Sequence, residues 1–188
     1  LAVLLFYLLL LGHPLEGLKE SNIKILDAAA QKYLYGSESV YIFDEKNPTN
    51  RPDPSIHKST IIMSYILPDF LMTTFHNAFT LGLHDTTLRI PDSKWCIELQ
   101  KLIESVCHCP NCGQENFAVN DNDSDISCWK CKKSFTPSKL RLGDDSMLIS
   151  SGLQLVWEGK LLGLVVRHPK DSKVLGLKNK TRTAWRAT

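Results

Sequence analysis

Cys109, Cys112, Cys128 and Cys131 stand in two pairs within CHCPNCGQENFAVNDNDSDISCWKCKKSF, residues 107–135. Two residues separate the members of each pair, and fifteen separate the pairs. A C-x2-C unit can close into a tight turn that points both thiolates at one ion, while turn N–H groups hydrogen-bond the sulfurs. Two such units supply four thiolates, a closed tetrahedral set with metal–sulfur distances near ~2.3 Å for zinc. Four thiolates leave the ion no open position, so the spacing predicts a structural Zn2+ rather than a catalytic one. Gly113, directly after Cys112, suits a backbone position with positive φ. Two disulfides or an iron–sulfur cluster are the alternative uses of the same cysteines.

Cys107 stands two residues before Cys109 and is an alternative ligand, although the spacing to Cys112 favours Cys109. The polypeptide around the pairs is too short to bury a core of its own. Metal binding, worth on the order of 10 kcal/mol or more in small zinc modules, would supply its stability. The DNDSD stretch reads as a polar turn between short strands, so residues 107–142 read as a zinc ribbon. Lys130, Lys132 and Lys133 beside Trp129 and Phe135 offer contacts to phosphates and bases. Asp121, Asp123 and Asp125 offset that charge, which favours a solvated loop with a packed Trp. A zinc-ribbon adaptor that binds nucleic acid is the alternative function.

These residues need elements to position them. The chain has 188 residues, 43% apolar and 22% charged, which is ordinary globular composition. The net charge of +2 selects no class of partner, but its distribution is uneven. Residues 1–106 carry net −3, residues 107–142 net +1 and residues 143–188 net +4. Changes of texture fall at the same places, so the expected fold class is α+β in three segments. These are a helical region over 1–106, the ribbon over 107–142 and a β-rich module over 143–188. Five of the six cysteines fall within 25 residues, a metal-site clustering that points to a reducing, cytoplasmic setting.

LAVLLFYLLLL, residues 1–11, is an unbroken apolar run. It is shorter than the roughly 20 residues that cross a bilayer. It also lacks the basic flank and small-residue cleavage site of a secretion signal. It reads as a helix buried on all sides and ended by Gly12 and Pro14. Too little sequence stands upstream to cover it, so a truncated chain is expected. Residues 22–35 read as an amphipathic helix capped by Ser21 or Asn22, and 37–58 as a long loop. A helix is expected over 67–83, with Leu71, Phe75, Ala78 and Phe79 on one face. Another is expected over 91–106, with Trp95, Leu99, Leu102 and Val106 at helical spacing and Cys96 in its core. From 147 onward, alternating residues predict hairpin strands, with turns at Glu158–Gly159 and Pro169–Ser172. Lys178, Lys180, Arg182 and Arg186 make the last strand basic, as solvated edge strands often are.

The turn GLHDTTLRIPDSKW, residues 82–95, resembles the last subdomain of eukaryotic-type protein kinases. There an L-x-x-D-P-x-x-R-P-S pattern precedes the final helix of the C-lobe. Leu83, Asp85, Leu88, Arg89, Pro91 and Ser93 match it, and Thr86 stands where the pattern has Pro. The opening helix, with Gly12 and Pro14, is similar to the buried central helix of that lobe. YIFDEKNPTNRPDP (41–54) and Gly176 to Trp185 extend the resemblance to a bacterial Ser/Thr-kinase-like family, in which a zinc ribbon and a small β-rich tail follow the C-lobe. The resemblance implies that Arg89 pairs with the Glu of an upstream Ala-Pro-Glu motif and holds the activation segment. On the residues alone, Arg89 is a surface group paired with Asp85 or Asp92.

Phosphoryl transfer needs a phosphate-covering glycine loop, a phosphate-binding Lys, a catalytic Asp and Mg2+ ligands. No G-x-G-x-x-G, H-R-D or D-F-G occurs in these 188 residues. No catalytic residue and no cofactor-binding residue beyond the metal ligands is therefore expected. ATP and Mg2+ belong to the parent protein, a Ser/Thr kinase or pseudokinase. The fragment's own role is scaffolding and partner binding. The resemblance implies as partners the missing N-terminal kinase region, protein substrates, a metal-dependent protein phosphatase and a von Willebrand-type domain protein, with no membrane.

Overall fold

The computed structural model describes residues 1–119, 125–142, 145–171 and 174–185. The chain is a mixture of helices and small antiparallel sheets, in two compact units, Leu1–Leu102 and Ile103–Thr188. Asp121, Asp123, Ser172 and Arg186, and with them part of two expected turns, lie outside the described residues.

In the first unit, helix α1 spans Ala2–Leu10. Leu11 closes it in the left-handed conformation (φ 58°, ψ 34°), its N–H bonded to the Tyr7 carbonyl. Gly12 serves a different purpose from the expected helix stop. A Cβ there would overlap Thr60 Oγ1, so only glycine lets the chain pass α4 (Lys58–Ile66). The expectation of a helix buried on all sides is corrected. Leu5, Phe6 and Leu10 are buried, while Leu1, Leu4, Leu8 and Leu11 form an exposed stripe, because α4 and α5 cover one side only.

The expected helix over 22–35 is broken. A short α2 (Leu18–Ser21) is followed by α3 (Ala28–Lys32), which continues as a π turn over Tyr33–Ser37. Asp27 is the cap: its Oδ1 accepts the Ala30 N–H at 2.9 Å and restarts the helix there. The following loop is anchored by Asn50, which is wholly buried. Its Nδ2 donates to the carbonyls of Leu15 (2.9 Å) and Val40 (2.7 Å), and its Oδ1 accepts the Lys19 N–H (3.0 Å).

Helix α5 (Asp69–Phe79) buries Leu71, Thr74, Phe75 and Phe79. It stops earlier than expected, at Phe79, where the Thr80 N–H and hydroxyl both donate to the His76 carbonyl, and a separate turn, α6 (Leu81–His84), follows. Phe6 of α1 meets Phe75 and Phe79 edge-on, with ring centroids 5.2 and 5.7 Å away. Trp95 of α7 (Asp92–Ser105) lies 5.1 Å from Phe75 and completes this aromatic core. Cys96, expected in the core, is exposed. Glu98 takes the inward position: it is 2% exposed, and Lys94 reaches its Oε1 at 2.6 Å.

The second unit is built from antiparallel pairs. Strand β1 (Val106–His108) pairs with β2 (Glu115–Phe117), and β3 (Ile126–Ser127) with β4 (Ser134–Phe135). Strand β5 (Lys139–Leu142) pairs with β6 (Asp145–Leu148). A three-stranded sheet has the order β7 (Gln154–Trp157), β8 (Lys160–Arg167), β9 (Leu175–Asn179). Glu158 (φ 47°) and Gly159 (φ 74°) form the two-residue turn between β7 and β8, left-handed at both positions as a type I′ hairpin requires. Gly163, in the central strand, carries the Trp185 ring on its bare backbone.

Candidate metal centre

Each cysteine pair sits in a turn between two short strands, and the two turns repeat each other. The Cys109 N–H bonds the Gln114 carbonyl (2.9 Å), and the Gly113 N–H bonds the Cys109 carbonyl (2.8 Å). The Cys128 N–H bonds the Lys133 carbonyl (3.0 Å), and the Lys132 N–H bonds the Cys128 carbonyl (2.9 Å). Both turns need a left-handed residue directly after the second cysteine, supplied once by Gly113 and once by Lys132.

Hydrogen bonds tie the two turns together. Asn116 Oδ1 accepts the Trp129 N–H at 3.0 Å, and Asn116 Nδ2 lies 3.6 Å from Cys128 Sγ. The Trp129 indole N–H donates to the Glu115 carbonyl at 2.7 Å. Lys133 Nζ donates to Asn111 Oδ1 at 2.8 Å.

The result brings Cys109, Cys112, Cys128 and Cys131 together, with all four sulfurs within 4.8 Å of one another. Cys109 and Cys131 sulfurs are 3.7 Å apart, and Cys112 and Cys128 sulfurs 3.6 Å apart. A tetrahedron with metal–sulfur bonds of ~2.3 Å has sulfur–sulfur edges of about 3.8 Å. A disulfide needs about 2.0 Å, and all six cysteines are free. The four can hold a metal ion. The geometry also separates Cys107 from Cys109 as ligand. Cys107, on β1, points its thiol at the Asn116 carbonyl (3.6 Å) and stands outside the group of four.

The electrostatics follow from N–H groups and crowding. At Cys128, burial alone would push the pKa up. The N–H groups of Cys131 and Lys130, with the Asn116 amide and the Cys112 thiol, outweigh it and bring it down to about 6. The Lys133 N–H leads the lowering at Cys131. At Cys112 the Gln114 N–H pulls downward, but burial and the thiols of Cys131, Cys128 and Cys109 push it up to about 11. Burial, helped by Cys109 and Cys128, raises Cys107 to about 11 and keeps it a neutral thiol. A recess of about 60 Å³ adjoins the site, lined among others by His108, Phe135, Ser138 and Arg167. Pockets for cofactor-sized ligands start near ~300 Å³, so this recess holds none.

The residues singled out in the 82–95 turn lie in the other unit. Trp95 is buried in the aromatic core. The Asp85 carboxylate accepts the Thr87 hydroxyl (2.6 Å) and N–H (2.8 Å), which hold its pKa below the usual range. Arg89 is exposed, and among the described residues it pairs with neither Asp85 nor Asp92. Asn116, which has no place in the sequence-level reading, is 4% exposed. Its counterpart in the second turn is Phe135, so no repeat in the sequence points to it.

No family model, no curated protein and no solved structure matches this chain.

Proposed function

We propose that residues 107–142 are a zinc ribbon with a structural ion, in a non-catalytic chain that scaffolds and binds protein partners. The observation that carries this is the convergence of four thiols on one point, all within 4.8 Å. A four-thiolate ion has no position for water or substrate, so its role is to hold two hairpins together. Zinc suits soft thiolate ligands in a tetrahedral set.

On the family resemblance, the first unit is the closing part of a protein-kinase-like C-lobe whose parent uses ATP and Mg2+. The order of a leucine-rich helix, a buried-Asn loop, and two helices joined by the 82–95 turn supports this reading, as does Trp95 packed on Phe75. A nucleic-acid adaptor is the second reading; the Trp129 indole N–H is committed to the Glu115 carbonyl and one Lys133 N–H to Asn111. Elemental analysis of the purified chain should find a single zinc, and a chelator should lower the melting temperature. Mg-ATP should be neither bound nor hydrolysed. Absence of zinc, or steep salt-sensitive binding to DNA or RNA, would overturn the proposal.

A further inference from the structure

We propose that Asn116 is a positioning residue of the metal centre: its side chain holds Cys128 in ligand geometry from the opposite cysteine turn. This rests on the metal reading above. Asn116 belongs to β2, in the hairpin that carries Cys109 and Cys112, and it is buried. One Nδ2 hydrogen goes to the Gln114 carbonyl at 2.8 Å, inside its own turn. The other faces Cys128 Sγ at 3.6 Å, a normal length for a bond to sulfur. Oδ1 takes the Trp129 N–H, directly beyond Cys128. Both amide hydrogens and the carbonyl oxygen are therefore used, and two of the three bonds cross to the second turn.

This arrangement has two consequences for an ion. It fixes Cys128 Sγ from its buried side before the ion arrives, so less ordering remains to be done on binding. It also places a donor against a sulfur that would share a site bearing two net negative charges, four thiolates around a divalent cation. Outer groups that orient metal ligands typically change affinity on the order of 10- to 100-fold.

The test uses the full chain and cobalt(II), with affinity measured by chelator competition. Asn116→Asp keeps the acceptor for the Trp129 N–H and removes the donors to sulfur and to the Gln114 carbonyl; Asn116→Ala removes all three bonds. Both variants should bind cobalt on the order of 10- to 100-fold more weakly. Their thiolate-to-cobalt charge-transfer bands should move to lower energy, because a sulfur without its donor gives up electrons more easily. Wild-type protein loaded with NMR-active cadmium offers a check that needs no variant. The Asn116 amide proton that faces Cys128 Sγ should show scalar coupling to cadmium through that sulfur. Absence of that coupling in wild type would overturn the proposal. So would an Asn116→Asp variant with wild-type circular dichroism, unshifted bands and affinity within about twofold of wild type. If wild-type protein takes up no cobalt, the metal reading fails first and this inference fails with it.

Discussion

Gly113 and Lys132 occupy the same place in two copies of one turn, and both are left-handed, at φ 72° and φ 60°. Glycine adopts that conformation freely, whereas a side chain there costs roughly 1–2 kcal/mol. Lys132→Gly should therefore stabilise the metal-loaded chain by about 0.5–1 kcal/mol, the relief of strain being partly offset by the greater chain entropy of glycine. Gly113→Ala should cost about 1 kcal/mol for the mirror reason. A Cβ at Gly113 meets nothing within 4 Å, so its cost is conformational rather than steric. Thermal unfolding of the two variants would measure both, and equal shifts of one sign would contradict the comparison.

Metal affinity should fall with acid, and more steeply once Cys128 protonates. An ion binds thiolates, so each thiol protonated in the free chain releases one proton and adds one decade of affinity per pH unit. Cys112, at about 11, is protonated throughout the neutral range and contributes a full decade. Cys128, at about 6, contributes only below that value, where the slope should steepen by another decade. In the metal-free chain the same depression stabilises the folded form. That contribution is complete above the unfolded thiol value of about 8.5 and is lost as pH falls through about 6. Competition titrations from pH 8 to about 5 would locate the break.

Asn50→Ala should destabilise the first unit by about 2–4 kcal/mol. It strands the Leu15 and Val40 carbonyls and the Lys19 N–H in a site with no exposure. Urea unfolding would register the loss, while zinc content should stay unchanged because the cysteines belong to the other unit.

Gly12→Ala should cost about 1–3 kcal/mol by overpacking, since the new methyl would overlap Thr60 Oγ1. Thr60→Ala in the same chain removes that oxygen and should recover most of the loss. Additive effects of the two substitutions in thermal melts would rule out the contact as the cause.

The four thiols were legible because ligand spacing is a covalent property of the chain: two residues between cysteines leave few ways to share an ion. The turn at Glu158–Gly159 was legible for a similar local reason, though not its type I′ conformation. Long-range contacts were not. Asn50 and Asn116 look like loop residues in sequence, and only the fold turns one into a three-way anchor and the other into a clasp between cysteine turns. The break at Asp27 was missed because hydrophobic periodicity ran through it while a carboxylate cap overrode it. Cys96, expected in the core, is exposed because burial on α7 is set by its neighbours; Glu98 turns inward instead, with Lys94 supplying the counter-charge.

The leucine stripe on α1 has a practical cost at the bench. Leu1, Leu4, Leu8 and Leu11 are each more than half exposed, in line along three turns of one rod. Such a greasy seam favours clumping in concentrated stocks. Light scattering should rise with protein concentration and fall in mild detergent. Replacing Leu4 and Leu8 with lysine should keep preparations clear without disturbing the packing of Leu5, Phe6 and Leu10.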